Sequence, residues 1–342
     1  MEQPNWEKRR LGRTGLMVTP LGIGGAYLGQ TRGGPPDRGQ LDERPLDERL
    51  LDERLLDEQV AVETVLRGLE LGLNLIDTSP KYLGGLSERF VGLALQEWYR
   101  RGGKRKDLVL STKVGSRVRP HCYTYEHTMS SIETSLELLQ EERVDLMLVH
   151  DPPDLDPVFA PDGALAALKE LKARGTIGHI GLGCRPHAFH RRCHESGACE
   201  VSLTFGDYNV LSQSAAVGVL VSAAAHVVGV LNATVFLMGL LAGRDPREVA
   251  RTRRRHGGWS WVGEGDPIEY AHRLWAWCGA RGVSMLSLNL QYSLRDPRTG
   301  VKPPASTLIG FSRPSRVDED IAAVLDPIPE SIWQALHEEF GL

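Results

Sequence analysis

The chain has 342 residues, 41% of them hydrophobic and 25% charged, with a formal net charge of -4. That is enough apolar material for a large core, and it gives no electrostatic case for nucleic acid or an anionic membrane as partner. Five cysteines without framework spacing, and an opening stretch (1–6) with no apolar segment, set the expectation of a reduced, cytoplasmic protein without a secretory signal.

In chain order, short β-like runs around Gly12 and Gly15 predict a hairpin over 8–22 that leads into a first strand, 19–24. From Leu41 the sequence reads LDERP, LDERL, LDERL, LDEQV, a repeat of period five. Five residues turn a helix by roughly 500°, so the leucines drift round it and form no stripe. Segment 31–58 therefore reads as a charged insertion, disordered or a frayed helix, in an otherwise single unit spanning 1–342. A lid or partner-binding role is the alternative.

Beyond it the order is regular. Helix 60–71 closes on Gly72, a strand ends at Asp77, and Ser87-Glu88 opens a helix running to about 100. A strand over 108–113 precedes a helix capped by Thr124 and running to 140, with apolar positions Ile132, Leu136 and Leu139. The strand 145–150 is followed by a Pro-rich loop, 151–161, and a helix, 162–173. Strand 179–183, a His-rich helix over 186–196, strand 201–206, helix 212–225 and strand 227–233 follow. The apolar run 215–231 holds Ser222 and His226 and reads as helix then strand, not a membrane span. A long loop carries Trp259 and Trp261, and the basic run 251–255 reads as a solvated surface. Helices 267–280 and 284–294, strand 307–311 and helices 315–325 and 330–340 complete the chain. Eight strands alternating with helices predict a parallel (β/α)8 TIM barrel with an N-terminal β-hairpin; no GxGxxG follows an early strand.

Three successive strands end on Asp77, Lys113 and His150, and Tyr82 follows the first. Residues at the C-terminal ends of parallel barrel strands converge on one mouth. A lysine ammonium favours a phenolate and lowers a tyrosine's pKa, an aspartate keeps that ammonium charged, and a histidine can orient a carbonyl or hydroxyl oxygen. Such a group can move a proton at substrate oxygen while a hydride moves at carbon, to or from a bound cofactor. Singly, Asp77 could be a turn residue, Tyr82 a packed aromatic and His150 a core histidine. Lys113 within an apolar strand needs a partner.

These residues carry a resemblance. IDTSPKY and LSERFVGLAL (76–95), STKVG (111–115), LMLVHDPP (146–153), GTIGHIGLG (175–183), YNVL (208–211), GLLAG (239–243) and LIGFSRPSRVDED (308–320) resemble the aldo-keto reductase superfamily over nearly the whole chain. The resemblance implies Tyr82 as general acid/base, tuned by Lys113 and Asp77, with His150 orienting the substrate. It implies NAD or NADP bound extended without a Rossmann domain, and cofactor contacts from Gly24, Gly183, Cys184, Phe205, Thr234, Phe236, Gly239, Gly310, Ser312, Arg316 and Asp320. Tyr27, Trp259 and Trp261 are the implied substrate-pocket residues. VHDPPD and VLNATVFLMGLLAG are most similar to the aldose, galactose and pyridoxal dehydrogenase branch, which points to oxidation of a lactol, or a similar cyclic hemiacetal, to a lactone.

The departures are specific. Gly183 and Cys184 stand where many members have Ser-Asn, Phe205 where a Gln is frequent, and Ala233 where some place a stacking aromatic. Gly310 and Phe311 replace a lysine and serine that assist phosphate binding, which leans the reading to NAD and leaves NADP open. Ser312, Arg313 and Arg316 could still hold a phosphate at a helix start. Cys184, His187, His190, Cys193 and Cys199 have the density of a zinc site, but a three-residue period drifts round a helix, and a surface helix without metal is the expectation. The rival functions are a non-catalytic nucleotide-binding barrel, and an aldolase or isomerase using Lys113 as a Schiff-base nucleophile. Small carbonyls or sugars are the expected partners, and the oligomeric state is undetermined from sequence.

Overall fold

The computed structural model describes residues 3–30, 56–253, 259, 265–296 and 300–342. Eight parallel strands close into a barrel in chain order: β3 (Leu21–Gly24), β4 (Leu75–Asp77), β5 (Val109–Val114), β6 (Val144–His150), β7 (Ile177–Gly183), β8 (Val201–Phe205), β9 (Gly229–Ala233) and β10 (Ser306–Gly310). β10 pairs with β3, which completes the ring. The predicted (β/α)8 barrel and its N-terminal hairpin are both present.

That hairpin, β1 (Arg9–Arg10) and β2 (Met17–Val18), plugs the N-terminal end of the barrel. Its Leu11 and Val18 are buried among the inward-facing strand residues Leu75, Val109, Leu146, Val201 and Leu231. Gly12 is required there: a Cβ on it would lie 2.2 Å from the Gly229 amide nitrogen, and its φ is +52°.

The strand period of two sorts the side chains. On β5, Val109 points into the barrel and Leu110 and Val114 point out to the helices. Ser111 and Lys113 share the inward face of Val109, while Thr112 reaches outward to Glu88. On β6, Leu146 and Leu148 face in and Met147 and Val149 face out, so His150 faces in at the C-terminal end. Register aligns Asp77 with Ser111, Lys113 with Leu148, and His150 with Gly183. Asp77, Lys113 and His150 therefore lie in the upper layers of the barrel on three adjacent strands.

The outer helices follow the predicted order. α1 (Glu58–Glu70) is capped by Asp57, whose carboxylate accepts from the Val60 amide at 3.0 Å. Gln30 bridges Leu56, so residues 56–58 belong to the entry into α1, not to the insertion; the rest of the repeat, 31–55, lies outside the described residues. α2 (Leu86–Arg100) and α3 (Tyr125–Leu139) follow, α3 with the Thr124 cap.

The loop after β6 is not wholly irregular: it holds a one-turn helix, α4 (Asp156–Phe159), with Pro157 in its first turn. α5 (Ala164–Ala173) and α6 (His187–Glu195) flank β7. The helix read over 212–225 is interrupted by a π-helical stretch, Ala216–Leu220, before α7 (Val221–Ala225). A Cβ on Gly218 would lie 2.0 Å from His187 Nδ1, so this turn is moulded round an imidazole from α6.

The long segment after β9 contains α8 (Pro246–Arg253), which starts with the Asp245 carboxylate accepting from the Arg247 amide at 2.9 Å and Pro246 in its first turn, and ends within the basic run. α9 (Pro267–Ala280), α10 (Met285–Leu294), α11 (Pro314–Leu325) and α12 (Glu330–Phe340) complete the outer layer. α8, α9 and α12 enclose a second core with Trp259, Trp277 and Trp333. No helix among the described residues is long and apolar enough to cross a membrane.

Candidate active site

Lys113 is fully buried, and its ammonium donates to Asp77 Oδ2 at 2.5 Å and to the Thr78 carbonyl at 2.8 Å. Asp77 Oδ1 accepts from the Ser111 hydroxyl at 2.7 Å, so both carboxylate oxygens are engaged. Burial is the largest single influence and lowers the Lys113 pKa; the charges and hydrogen bonds of Asp77 and Tyr82 together outweigh it, and the net shift is upward. Lys113 thus stays an ammonium.

Tyr82 begins a short 3-10 turn (Tyr82–Gly85) and its amide donates to the Ser79 carbonyl at 3.0 Å. Lys113 Nζ lies 4.7 Å from the centre of the Tyr82 ring, and the His150 ring meets it edge-on with centroids 5.6 Å apart. The sequence led to the expectation of a lowered phenol pKa. Here burial pushes Tyr82 upward, and Lys113, acting in the expected direction, only offsets part of it. Without substrate and cofactor the group is a phenol, a proton donor at neutral pH.

His150 is buried, and its pKa is pushed well below its ordinary value, chiefly by burial and then by Lys113, Lys81 and His121. Its Nδ1 lies 2.9 Å from Ser79 Oγ and 2.8 Å from Ser116 Oγ. When one of these hydroxyls donates to Nδ1, the neutral ring carries its proton on Nε2, facing Asp151 Oδ2 at 3.6 Å. The imidazole is thereby set to donate to a substrate oxygen. Tyr123 fixes the strand end by donating to the His150 carbonyl at 2.7 Å. Gly115, with φ +93°, makes room for that ring: a Cβ there would lie 2.1 Å from Tyr123 Cε1.

Ser79, Ser111 and Ser116 lie inside or beside the IDTSPKY and STKVG motifs, yet as serines they gave no separate signal. Tyr123 sits in the loop after β5, where nothing in the spacing points to His150.

The other predicted site residues are dispersed. Gly24, Gly183, Ala233 and Gly310 stand at the C-terminal ends of their strands, so one side of the mouth has almost no side-chain volume. A Cβ on Gly183 would meet nothing closer than 3.7 Å, while one on Gly310 would strike Tyr27 Cδ2 at 2.5 Å, so Tyr27 packs across that strand end. Phe205 packs with the inward barrel residues. Cys184 is buried among the outward-facing ones, its sulfur 3.7 Å from His190 Nε2 and its thiol pushed up by burial. That orientation gives it little to offer a ligand at the mouth except backbone.

Thr234 and Phe236 are partly buried just beyond β9, and Gly239 has φ +96° in the following turn. Trp259 is buried in the second core and donates to the Leu237 carbonyl at 2.7 Å, contacts of a packed loop cover. Trp261 lies outside the described residues.

The Cys/His cluster resolves into separate hydrogen bonds. His190 Nδ1 and His194 Nε2 share the Ser202 hydroxyl at 2.9 and 2.8 Å, and His187 Nε2 pairs with Asp207 at 2.7 Å. His194 is tied through its other nitrogen to Ser222 at 3.0 Å.

At the last strand, Ser312 and Arg313 precede α11, where Pro314 has no amide hydrogen and the Arg316 amide donates to the Arg313 carbonyl at 3.0 Å, which leaves the Ser315 amide to face an anion. Arg316 is engaged by Glu319 one turn on. Asp320 is buried, which pushes its carboxyl up to about 7 against the opposing pull of Arg316. A part-protonated carboxyl can donate as well as accept.

The sequence model of the family described as "Aldo/keto reductase family" matches residues 51–338. The chain belongs to the Aldo/keto reductase family. L-galactose dehydrogenase of Arabidopsis thaliana is 30% identical over 326 residues, covering 94% of this chain and 88% of that protein. D-threo-aldose 1-dehydrogenase of a Pseudomonas species is 27% identical, covering 79% and 84%. Pyridoxal 4-dehydrogenase of Microbacterium luteolum is 27% identical, covering 97% of each. A solved aldo-keto reductase from Bacillus halodurans, in its holo form, shares the fold with a TM-score of 0.70 at 24% identity, covering 98% of this chain and 96% of that one.

This aldo-keto reductase is thus an NAD(P)-dependent oxidoreductase. The open strand ends beside Lys113 and the anion-accepting start of α11 fit a nicotinamide cofactor, which, when bound, supplies or accepts the hydride.

Proposed function

We propose that this aldo-keto reductase oxidises the anomeric carbon of an aldose lactol, or a similar cyclic hemiacetal, to the lactone, with Tyr82 as general acid/base. The observation that carries the reading is the arrangement of Asp77, Lys113 and His150 at the ends of adjacent strands with Tyr82 on the turn after β4, its ring against Lys113 and His150. His150 Nε2 donates to the reacting oxygen and orients it. As the phenolate, Tyr82 takes the hydroxyl proton in oxidation and becomes a phenol; as the phenol it gives that proton back in reduction, and Lys113 stabilises the phenolate form. Asp77 holds Lys113 as an ammonium, a form unsuited to the Schiff-base alternative. The aldose specificity rests on the likeness to the galactose and aldose dehydrogenases.

We assign the cofactor preference to NAD. Strict NADP use wants free cations for the 2′-phosphate. Arg316 is neutralised by Glu319, whose carboxylate would also repel that phosphate. Ser312, Arg313 and Asp320 remain to meet the adenosine end.

Titration with NAD and NADP followed by an aldose and aldehyde panel tests the reading. Tyr82→Phe should cut turnover by roughly 10²- to 10⁴-fold with cofactor affinity retained. Full activity in that variant would remove Tyr82 from proton transfer.

A further inference from the structure

Asp151 follows His150 directly and has φ +46°, a conformation that side chains other than Gly, Asn and Asp seldom adopt. Its amide donates to the Gly183 carbonyl at 2.8 Å, tying it to the end of β7. His121 Nδ1 lies 3.2 Å from the hydroxyl of Tyr123, the ring that anchors His150. A left-handed backbone that turns an aspartate to the mouth beside a reacting group is a reason to ask what the side chain does.

The carboxylate stands at the mouth, 32% exposed, with Oδ2 3.6 Å from His150 Nε2 and 3.8 Å from Lys81 Nζ. Both distances exceed a direct hydrogen bond, so Asp151 Oδ2 faces both groups without being hydrogen-bonded to either. Burial raises the Asp151 pKa against the pull of Lys81 and Lys113, so any substrate that covers this carboxylate desolvates it further. An apolar substrate would cover the carboxylate and the ammonium while replacing none of their water hydrogen bonds, at a cost. An anion would be repelled by Asp151 and a cation by Lys81, so the pair best suits a neutral ligand with hydroxyls.

We propose that Asp151, with Lys81, is the specificity-determining pair of this site, accepting a hydrogen bond from a hydroxyl on a carbon neighbouring the reacting one and so selecting hydroxylated carbonyls and lactols over aliphatic aldehydes. This rests on the oxidoreductase reading above and adds the residues that choose its substrate. The Asp151 carboxylate accepts from the hydroxyl, Lys81 donates to the same or an adjacent oxygen, and His150 keeps its proton for the reacting oxygen.

The test is a chemical double-mutant cycle: wild type and Asp151→Gly, which removes the carboxylate and tolerates the left-handed backbone, each with an aldose, its monodeoxy analogues and a short aliphatic aldehyde. With the aldose, Asp151→Gly should lose roughly 10- to 100-fold in kcat/KM, mostly through KM, as for one hydrogen bond to a charged group. With one of the deoxy analogues and with the aliphatic aldehyde the two proteins should agree within about threefold. Calorimetric titration of the aldose into the cofactor-bound protein, with the cofactor in its unreactive redox state, should show the same loss without turnover. Parallel losses on every substrate, or aldose binding unchanged in Asp151→Gly or absent from the wild type, would overturn the assignment. Failure of the oxidoreductase reading looks different: neither protein would turn over any substrate, aliphatic aldehyde included, and the titration would still decide the role of Asp151.

Discussion

Replacing Lys113 with methionine removes one charge from the most enclosed part of the site while keeping the length of its apolar stem. The ammonium makes two hydrogen bonds, to Asp77 Oδ2 and to the Thr78 carbonyl. Without it, Asp77 keeps only the Ser111 donor and stays a 2% exposed carboxylate with no counter-charge. Breaking a buried pair from one side costs about 3–5 kcal/mol, a large share of the roughly 5–15 kcal/mol that holds a typical domain. Adding Asp77→Asn removes the orphaned charge and should recover part of the loss, with a coupling of about 1–3 kcal/mol between the two sites. Urea unfolding of wild type, both single variants and the double variant measures this directly. Lys113→Met should also strip away the main influence opposing burial at Tyr82, so any residual oxidation should need a higher pH than wild type. A single-variant cost below about 1 kcal/mol, or costs that simply add, would refute the argument that this pair is a dry, mutually dependent unit.

Acid should unfold the protein early. Burial pushes His190 and His194 each down to about 4, while the unfolded chain titrates them near 6.5. Below pH 6.5 the unfolded state binds more protons, so stability falls as pH drops from about 6.5 to 4, by up to about 3 kcal/mol per histidine. Unfolding series at several pH values should show this slope, reduced in His190→Gln. In catalysis, oxidation needs a Tyr82 phenolate and reduction a phenol, so kcat/KM for oxidation should rise towards alkaline pH and that for reduction fall. Tyr123→Phe loses the hydrogen bond to the His150 carbonyl and should cost about 0.5–1.5 kcal/mol of stability, read by denaturation, with a fall in kcat. Gly115→Ala should cost more than that, because its Cβ would collide with the same ring at a left-handed backbone position.

The amino-acid sequence by itself determined the order of strands and helices, the parallel barrel and the three strand ends that carry Asp77, Lys113 and His150. Those features are local: strand periodicity, helix caps such as Thr124, and the rarity of a lysine within an apolar run are written into neighbouring residues. What surrounds the site was decided only in three dimensions. Ser79, Ser116 and Tyr123 reach His150 across 71, 34 and 27 residues of chain, so no spacing rule finds them. The sign of the Tyr82 shift depended on how burial compares with one ammonium 4.7 Å from its ring, a balance that residue types alone do not contain. The cysteines and histidines after β7 looked like a ligand set by density; folding gave each histidine its own hydroxyl, carboxylate or carbonyl partner. The helix α8 has a start signal in Asp245-Pro246 but few apolar residues, so its place is set by packing Val249 and Ala250 into the second core. Asp151 was legible as a letter in HDPP, and only the closed barrel set its carboxylate beside the proton of His150.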